Sequence, residues 1–584
     1  MRSIRSAAKN ASLRLELARP FMRLTLLGVL SLLGCSSKLP APLARDGNAD
    51  DAPLRGGTLE LATFGDIRAL DPANAADGLA PQMLAHILAG LVDYDSDGNL
   101  QPDLAERWDI EDGGLTYRFF LREGVRFHDG EEVTAEDVKR SSERSLHASA
   151  PNPFASYFSS IEGFDAIRSG ARDDLPGVRV EGRYVVSFRL KEPDAMFLRV
   201  LALVNLRPVC RSAGRRYTDT WMVCGAGPFK LASWTHGHSV MLARHERYFR
   251  PGLPYLDAVR WTLHENPNSQ ALKFLRGDLD VIMDLPASDV MRFQADARWR
   301  PFADKTKGAQ VLGETMNVEV PPFDNVEIRR AVASAIDREA IAKLRPANLS
   351  PNGQLVPPGV FGHSSELEGQ RYDYQAALEH MKRAGYPYDP ERNTGGWPAP
   401  IPYLVYRQGL QEYTGQLLAQ QLERIGLRLE IRVVNYPTFL ALRGRRKGAA
   451  FGPGFWLQDF PDAMSFLEPL FHTKSIANDD SNNASFYSNP RFDELVNRAR
   501  GELDDPRRKA IYTEAQRILV DDAPWAFTAT WQHFVQRQPY VRGHRLHPMW
   551  NHDLARAWLD RAAGRSATRA MFSERAVHAL LGTP

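Results

Sequence analysis

At 584 residues the chain exceeds what a single hydrophobic core supports, so two or three domains are expected. With 43% hydrophobic and 25% charged residues it has the composition of an ordinary globular protein, which excludes a disordered or fibrous chain. A net charge of +2 gives no electrostatic reason to expect nucleic acid. The nearest basic stretch, Arg443-Gly444-Arg445-Arg446-Lys447, is short and reads as a solvated loop, with a phosphate-binding patch as the alternative.

The apolar run 24–33 follows basic residues and is too short to span a bilayer of ~30 Å, so 1–34 reads as a signal peptide. Leu32-Leu33-Gly34-Cys35 is similar to a bacterial lipobox, in which Cys35 becomes the acylated first residue; a plain signal peptide with a chance cysteine is the alternative. Met22-Arg23 alone opens a compact signal sequence, which points to translation from Met22. Export leaves Cys210 and Cys224 in an oxidising compartment, either bridged or as two separate buried thiols. Residues 35–55 are small, polar and Pro-containing, as suits a flexible tether after a lipidated cysteine.

Order is expected from about Gly56. Leu59, Leu61 and Thr63 alternate with Glu60 and Ala62, the period of a strand, and 115–121 and 184–190 are further strand candidates. Thr134 with Asp137 forms a capping box for a helix through Val138. Ile328, Ala331, Val332, Ala335 and Ile336 share one helical face, and Asp373 caps a helix ending at Gly385. The strand 401–406, the helix 413–425 closed by Gly426, and the alternating strand 427–433 outline a βαβ unit. No later apolar run is long enough for a transmembrane helix, and no internal repeat is present.

Several short runs, taken in order, carry a resemblance. Leu70-Asp71-Pro72-Ala73, Pro102-Asp103-Leu104-Ala105-Glu106-Arg107-Trp108, Leu121-Arg122-Glu123-Gly124-Val125-Arg126-Phe127-His128-Asp129-Gly130 and Thr134-Ala135-Glu136-Asp137-Val138 are followed by Gly225-Ala226-Gly227-Pro228-Phe229-Lys230 and Tyr487-Ser488-Asn489-Pro490-Arg491-Phe492-Asp493. Over about 56–560 the series resembles the family 5 extracellular solute-binding proteins, whose members bind dipeptides, oligopeptides and nickel complexes. The resemblance implies an α/β, two-lobed periplasmic-binding-protein fold (type II, the large three-domain form) with a hinged interlobe cleft. Lobe one should comprise 56–310 plus 525–560, with an inserted domain at about 90–205, and lobe two 311–524. Residues 561–584 fall outside the pattern.

The same resemblance implies function. The chain should be a monomeric, membrane-anchored lipoprotein of the periplasm or cell envelope that captures a peptide or other small solute and passes it to an ABC permease and ATPase, with no cofactor, no nucleic acid and no resident metal. Within Trp456-Leu457-Gln458-Asp459-Phe460-Pro461-Asp462, Asp459 aligns with the carboxylate that peptide binders place on the ligand's amino group; capping a turn or helix is its alternative role. Trp456 would supply an aromatic wall, or else ordinary core packing. Asn317, after Met316 where the family has Phe, is positioned to bond a ligand's backbone. Arg407, following the strand 401–406, is a candidate for the ligand's carboxylate, with a surface arginine as the alternative.

Other classes have less behind them. No Walker loop, His-Glu-x-x-His helix or Gly-x-Ser-x-Gly elbow supports an enzyme. His236, His238, His544, His547 and His552 would be the basis of a metal reading. Cargo other than peptide (a nickel complex, a sugar, an opine), or a sensor, adhesin or chaperone that has lost transport, stays compatible with the same fold.

Overall fold

The computed structural model describes residues 52–560, apart from 76–77, 220, 284, 307–308 and 408–410. The signal peptide, Met22, Cys35, most of the tether and the extension 561–584 therefore lie outside the described residues.

Lobe one is organised on a seven-stranded mixed sheet. Its strands run, in spatial order, Ala303–Lys305, Phe534–Arg537, Val281–Ile282, Thr58–Ala62, Ala258–Thr262, Ser239–Arg244 and Phe229–Thr235. Thr58–Ala62 pairs in parallel with Ala258–Thr262 and Val281–Ile282, so it is an interior strand; the alternation read in the sequence places Leu59 and Leu61 in the core. A four-stranded antiparallel sheet, Ala105–Glu111, Thr116–Leu121, Val185–Arg189 and Val178–Gly182, forms the inserted domain. The helix Ala135–Leu146 packs on it. That helix starts where the capping box was read: Asp137 Oδ2 accepts from the Thr134 backbone N–H at 3.0 Å and from its hydroxyl at 2.8 Å.

Lobe two carries a six-stranded sheet in the order Leu349–Pro351, Trp525–Trp531, Gln310–Met316, Phe451–Leu457, Ile401–Tyr406, Leu429–Val434. Ile401–Tyr406 and Leu429–Val434 are parallel and joined through the helix Gln411–Glu423, the βαβ unit expected from periodicity. Leu429–Val434 is the sheet edge, and Glu430 and Arg432 on its exposed face discourage pairing with another chain. The helix Val326–Ala335 buries Ile328, Ala331, Val332 and Ala335. Asp373 caps Tyr374–Arg383 by accepting from the Ala376 N–H at 2.9 Å, and Gly385 leaves it at φ +89°, a conformation that favours glycine.

One boundary moves. Trp525–Trp531 was expected in lobe one, but it lies between Gln310–Met316 and Leu349–Pro351 as an interior antiparallel strand of lobe two. Each face of such a strand must be covered, and Trp525, Ala526, Phe527 and Ala529 are fully buried there. The chain re-enters lobe one only at Phe534. The chain thus passes twice between the sheets, after Lys305 and after Trp531, and the described residues at these connections are bonded to each other: the Thr306 N–H donates to the His533 carbonyl at 3.0 Å and the His533 N–H to Thr306 Oγ1 at 2.8 Å.

Cys210 and Cys224 are joined as a disulfide, with Cα atoms 5.4 Å apart.

Candidate functional site

Between the two sheets lies a chamber of about 660 Å³. Phe64, Gln82 and Met283 line it from lobe one, Phe154 from the inserted domain, and Val360, Leu457 and Asp459 from lobe two. Lys305, Thr306 and His533, at the two crossings, form part of its wall. Phe64 and Leu457 are 60% and 53% exposed, an unusual state for large apolar side chains that suits surfaces waiting to be covered by a solute.

Asp459 is brought to this chamber by the strand Phe451–Leu457, which delivers the chain from the lobe-two core to the interlobe space. Its backbone N–H donates to Ser465 Oγ at 2.7 Å, which fixes the turn, and Tyr157 Oη of the inserted domain donates to its Oδ2. Burial pushes the Asp459 carboxyl up from its ordinary 3.8 to about 6, against the opposing effect of the Tyr157 hydrogen bond. The result is a desolvated carboxyl with one oxygen held by a phenol, an acceptor suited to a cationic hydrogen-bond donor. Lys305, exposed on the same wall, gives the chamber a cation as well.

Two residues before the helix Met464–Phe471, Asp462 does the structural work that was an alternative role for Asp459. It is fully buried; its Oδ1 accepts from the Met464 N–H at 2.9 Å and from Tyr512 Oη at 2.8 Å, and its Oδ2 lies 3.0 Å from Arg199 Nε. Arg199 belongs to the inserted-domain helix Phe197–Leu201, so this ion pair joins the lobes. A second one does the same: Arg500 of lobe two pairs with Asp194 at 3.1 Å and with Glu468.

The other sequence candidates do not reach the chamber. Trp456 is opposite Val311 in the sheet and packs, partly buried, against the core; strand alternation sends its neighbour Leu457 to the chamber instead. Asn317 is buried in lobe two, where Nδ2 donates to the Ala449 carbonyl at 3.2 Å and Oδ1 accepts from the Glu319 N–H at 3.0 Å, so its amide is spent on its own turn. Arg407 stands at the end of its strand with a side chain 81% exposed, 3.9 Å from Glu412.

Of the histidines, His547 lines the chamber but is fully engaged: Nδ1 accepts from the Met549 and Trp550 N–H groups and Nε2 lies 3.0 Å from the Tyr94 carbonyl. His544 and His552 are buried against each other at 2.9 Å, and burial pushes His552 down to about 4. His236 and His238 are exposed in the turn between the strands Phe229–Thr235 and Ser239–Arg244. Among the described residues, the only three metal-ligand side chains within reach of one another are Asp129, Cys210 and Cys224, and the two sulfurs are bonded to each other. Sequence reasoning missed Tyr157, Arg199 and Asp462, because each acts on a partner from a different lobe.

Two α/β lobes, linked by two connections and enclosing a chamber with a half-buried carboxyl, define a solute-binding protein of the periplasmic type. The chain belongs to the bacterial extracellular solute-binding proteins, family 5, whose middle region matches residues 99–478. It is similar to the Probable deoxycholate-binding periplasmic protein YgiS of Escherichia coli (strain K12), 28% identical over 82% of this chain and 89% of that protein. The Glutathione-binding protein GsiB of Pectobacterium atrosepticum is 26% identical over 80% of this chain and 88% of its own. Among solved structures, the ABC transporter-associated periplasmic binding protein DppA from Helicobacter pylori, in complex with peptide STSA, has a TM-score of 0.69 at 23% identity, covering 87% of this chain and 99% of that one. These relatives are binding proteins, and no helix among the described residues is long and apolar enough to cross a membrane.

Proposed function

We propose that this solute-binding protein is the capturing component of an ABC importer, that it takes peptides, or peptide-like solutes with a free amino group, and that Asp459 receives the ammonium. The observation that carries the reading is the Asp459 carboxyl, desolvated on the wall of an interlobe chamber and held on one oxygen by Tyr157 from the other side. An unpaired ammonium buried with the solute costs several kcal/mol, and a carboxylate already in place offsets it. Leu457, Phe64 and Met283 give apolar contact that tolerates varied side chains, while Lys305 is the cation available to a solute's carboxylate. Capture involves no covalent step. Cargo shifts the population toward closure by touching both lobes, one built on the sheet of Thr58–Ala62 and the other on the sheet of Gln310–Met316, about the connections marked by Thr306 and His533.

The mature chain is anchored through acylated Cys35 and works as a monomer. Metabolic labelling with palmitate, lost in Cys35→Ala, tests the anchor; light scattering of the soluble domain tests the monomer. Mass spectrometry of solute co-purified with the mature protein identifies the cargo, and Asp459→Ala then decides the role of the carboxylate. Affinity for an amino-terminated cargo should fall at least tenfold. An unchanged affinity, or a co-purified acid with no amino group, rules out the peptide reading while leaving solute capture intact.

A further inference from the structure

The basic stretch 443–447, expected to be a solvated loop, divides in the structure. Arg445 pairs with Asp479 at 3.1 Å and Arg446 reaches Glu319 at 2.9 Å, both in solvent. Arg443, the last residue of the helix Tyr436–Arg443, instead sends its guanidinium into lobe two, over the rings of Phe455 and Trp525 at 5.7 and 5.8 Å. Its Nε and Nη2 are sealed from solvent, and neither has a protein acceptor. No carboxylate among the described residues lies within ion-pair distance; the titratable groups facing it are the phenols of Tyr406 and Tyr436.

Arg443 lines a small cavity of about 10 Å³, whose wall also includes Thr315, Asn317, Phe439, Phe451 and Ala484. Thr315 Oγ1 is likewise sealed and without a hydrogen-bond partner. Asn317 is already committed to the Ala449 carbonyl and the Glu319 N–H. The groups left over at this cavity are therefore a cation with two N–H donors and a hydroxyl that can donate a third. Burial brings Arg443 down to about 10, which leaves it charged at neutral pH. Sealed N–H donors of a charged guanidinium without acceptors are a costly arrangement, and one that an ion taken up at the cavity would relieve.

We propose that this cavity is a structural anion site, taking one small monovalent ion of the halide class, held by Arg443 Nε and Nη2 and by the Thr315 hydroxyl. The volume is that of about one water-sized particle, which excludes sulfate, phosphate or the carboxylate of a cargo. None of its lining residues is shared with the interlobe chamber, so the ion and the cargo occupy separate places. The ion ties the end of Tyr436–Arg443 to the strands Gln310–Met316 and Phe451–Leu457, and the second of these carries the chain to Asp459.

The test uses the full mature chain, in chloride and in gluconate at equal ionic strength, together with crystals soaked in bromide. An anomalous bromide peak is expected within hydrogen-bond distance of Arg443 Nε or Nη2 and of Thr315 Oγ1. The apparent melting temperature should rise saturably with chloride, by about 2–4 °C, and not with gluconate. Thr315→Val and Arg443→Met should each abolish the saturable part. Water alone in the cavity, with no bromide peak and identical melting in both salts, overturns the proposal. Should Arg443→Met fail to fold, the bromide density of the unmodified protein decides it.

Discussion

Acidification should weaken capture of an amino-terminated solute through Asp459 alone. With its carboxyl at about 6, roughly nine tenths is ionised at pH 7 and one tenth at pH 5. An ammonium binds the ionised form, so apparent affinity should drop about tenfold over that interval, equivalent to ~1.4 kcal/mol. The sign follows from linkage: the free protein holds a proton that binding expels, and raising the pH removes that competition. Titration calorimetry in buffers of different ionisation enthalpy reads both quantities, the affinity and the proton release, which should approach one per site at pH 5. Asp459→Asn should bind weakly with no pH slope in this range, and the N-acetylated solute should show no slope with either protein. Equal affinity of the unmodified protein at pH 5 and pH 7, or an equal slope for the acetylated solute, would refute the assignment.

Other outcomes follow from single residues. Asp462→Ala leaves Arg199 without its carboxylate across the lobe boundary and should cost about 3 kcal/mol, read as a lower urea midpoint, with a larger radius of gyration by X-ray scattering in the absence of cargo. Replacing both Cys210 and Cys224 by Ser opens a link spanning 14 residues, and chain entropy puts the loss at about 3 kcal/mol; reductant should lower the melting temperature of the unmodified protein and leave the variant unchanged. Glu314 is buried on the strand Gln310–Met316, accepts from Tyr403 Oη at 2.8 Å, and is pushed up to about 8 by burial. Its folded value exceeds the ordinary 4.5, so its contribution is fully present below that pH and is lost as pH rises toward 8. Glu314→Gln keeps the hydrogen bond without the charge, so the variant should match the parent at pH 5 and exceed it by on the order of 3 kcal/mol at pH 9.

What the sequence revealed depended on how far its signal had to reach. The alternation at Leu59 and Leu61, the box of Thr134 and Asp137, and the strand-helix-strand run from Ile401 to Val433 each concern neighbours along the chain, and the structure reproduces them within a few residues. Trp525–Trp531 was harder, because its strongly apolar run fits the interior of either lobe and only its pairing with Gln310–Met316 decides which. Asp459 was found by resemblance, yet Trp456, three residues before it, faces the core. A motif fixes which residues are near one another and leaves open which face of the strand looks onto the chamber. Tyr157 lies 302 positions from the carboxylate it bonds, and no local pattern announces such a partner. Arg443 was hidden in another way: among four cations in five residues nothing distinguishes the one whose head turns inward.

The paired crossings have a consequence for discrimination among solutes. Thr306 and His533 bond to each other and also form part of the chamber wall, so under the proposed closure a guest reaching that end presses on the pivot itself as well as on the two jaws. The angle at which the jaws come to rest then depends on the guest's length and shape, not only on how tightly it is gripped. Two molecules of equal affinity can thereby present different outer surfaces to the membrane permease, and productive hand-over becomes a second point of selection after capture.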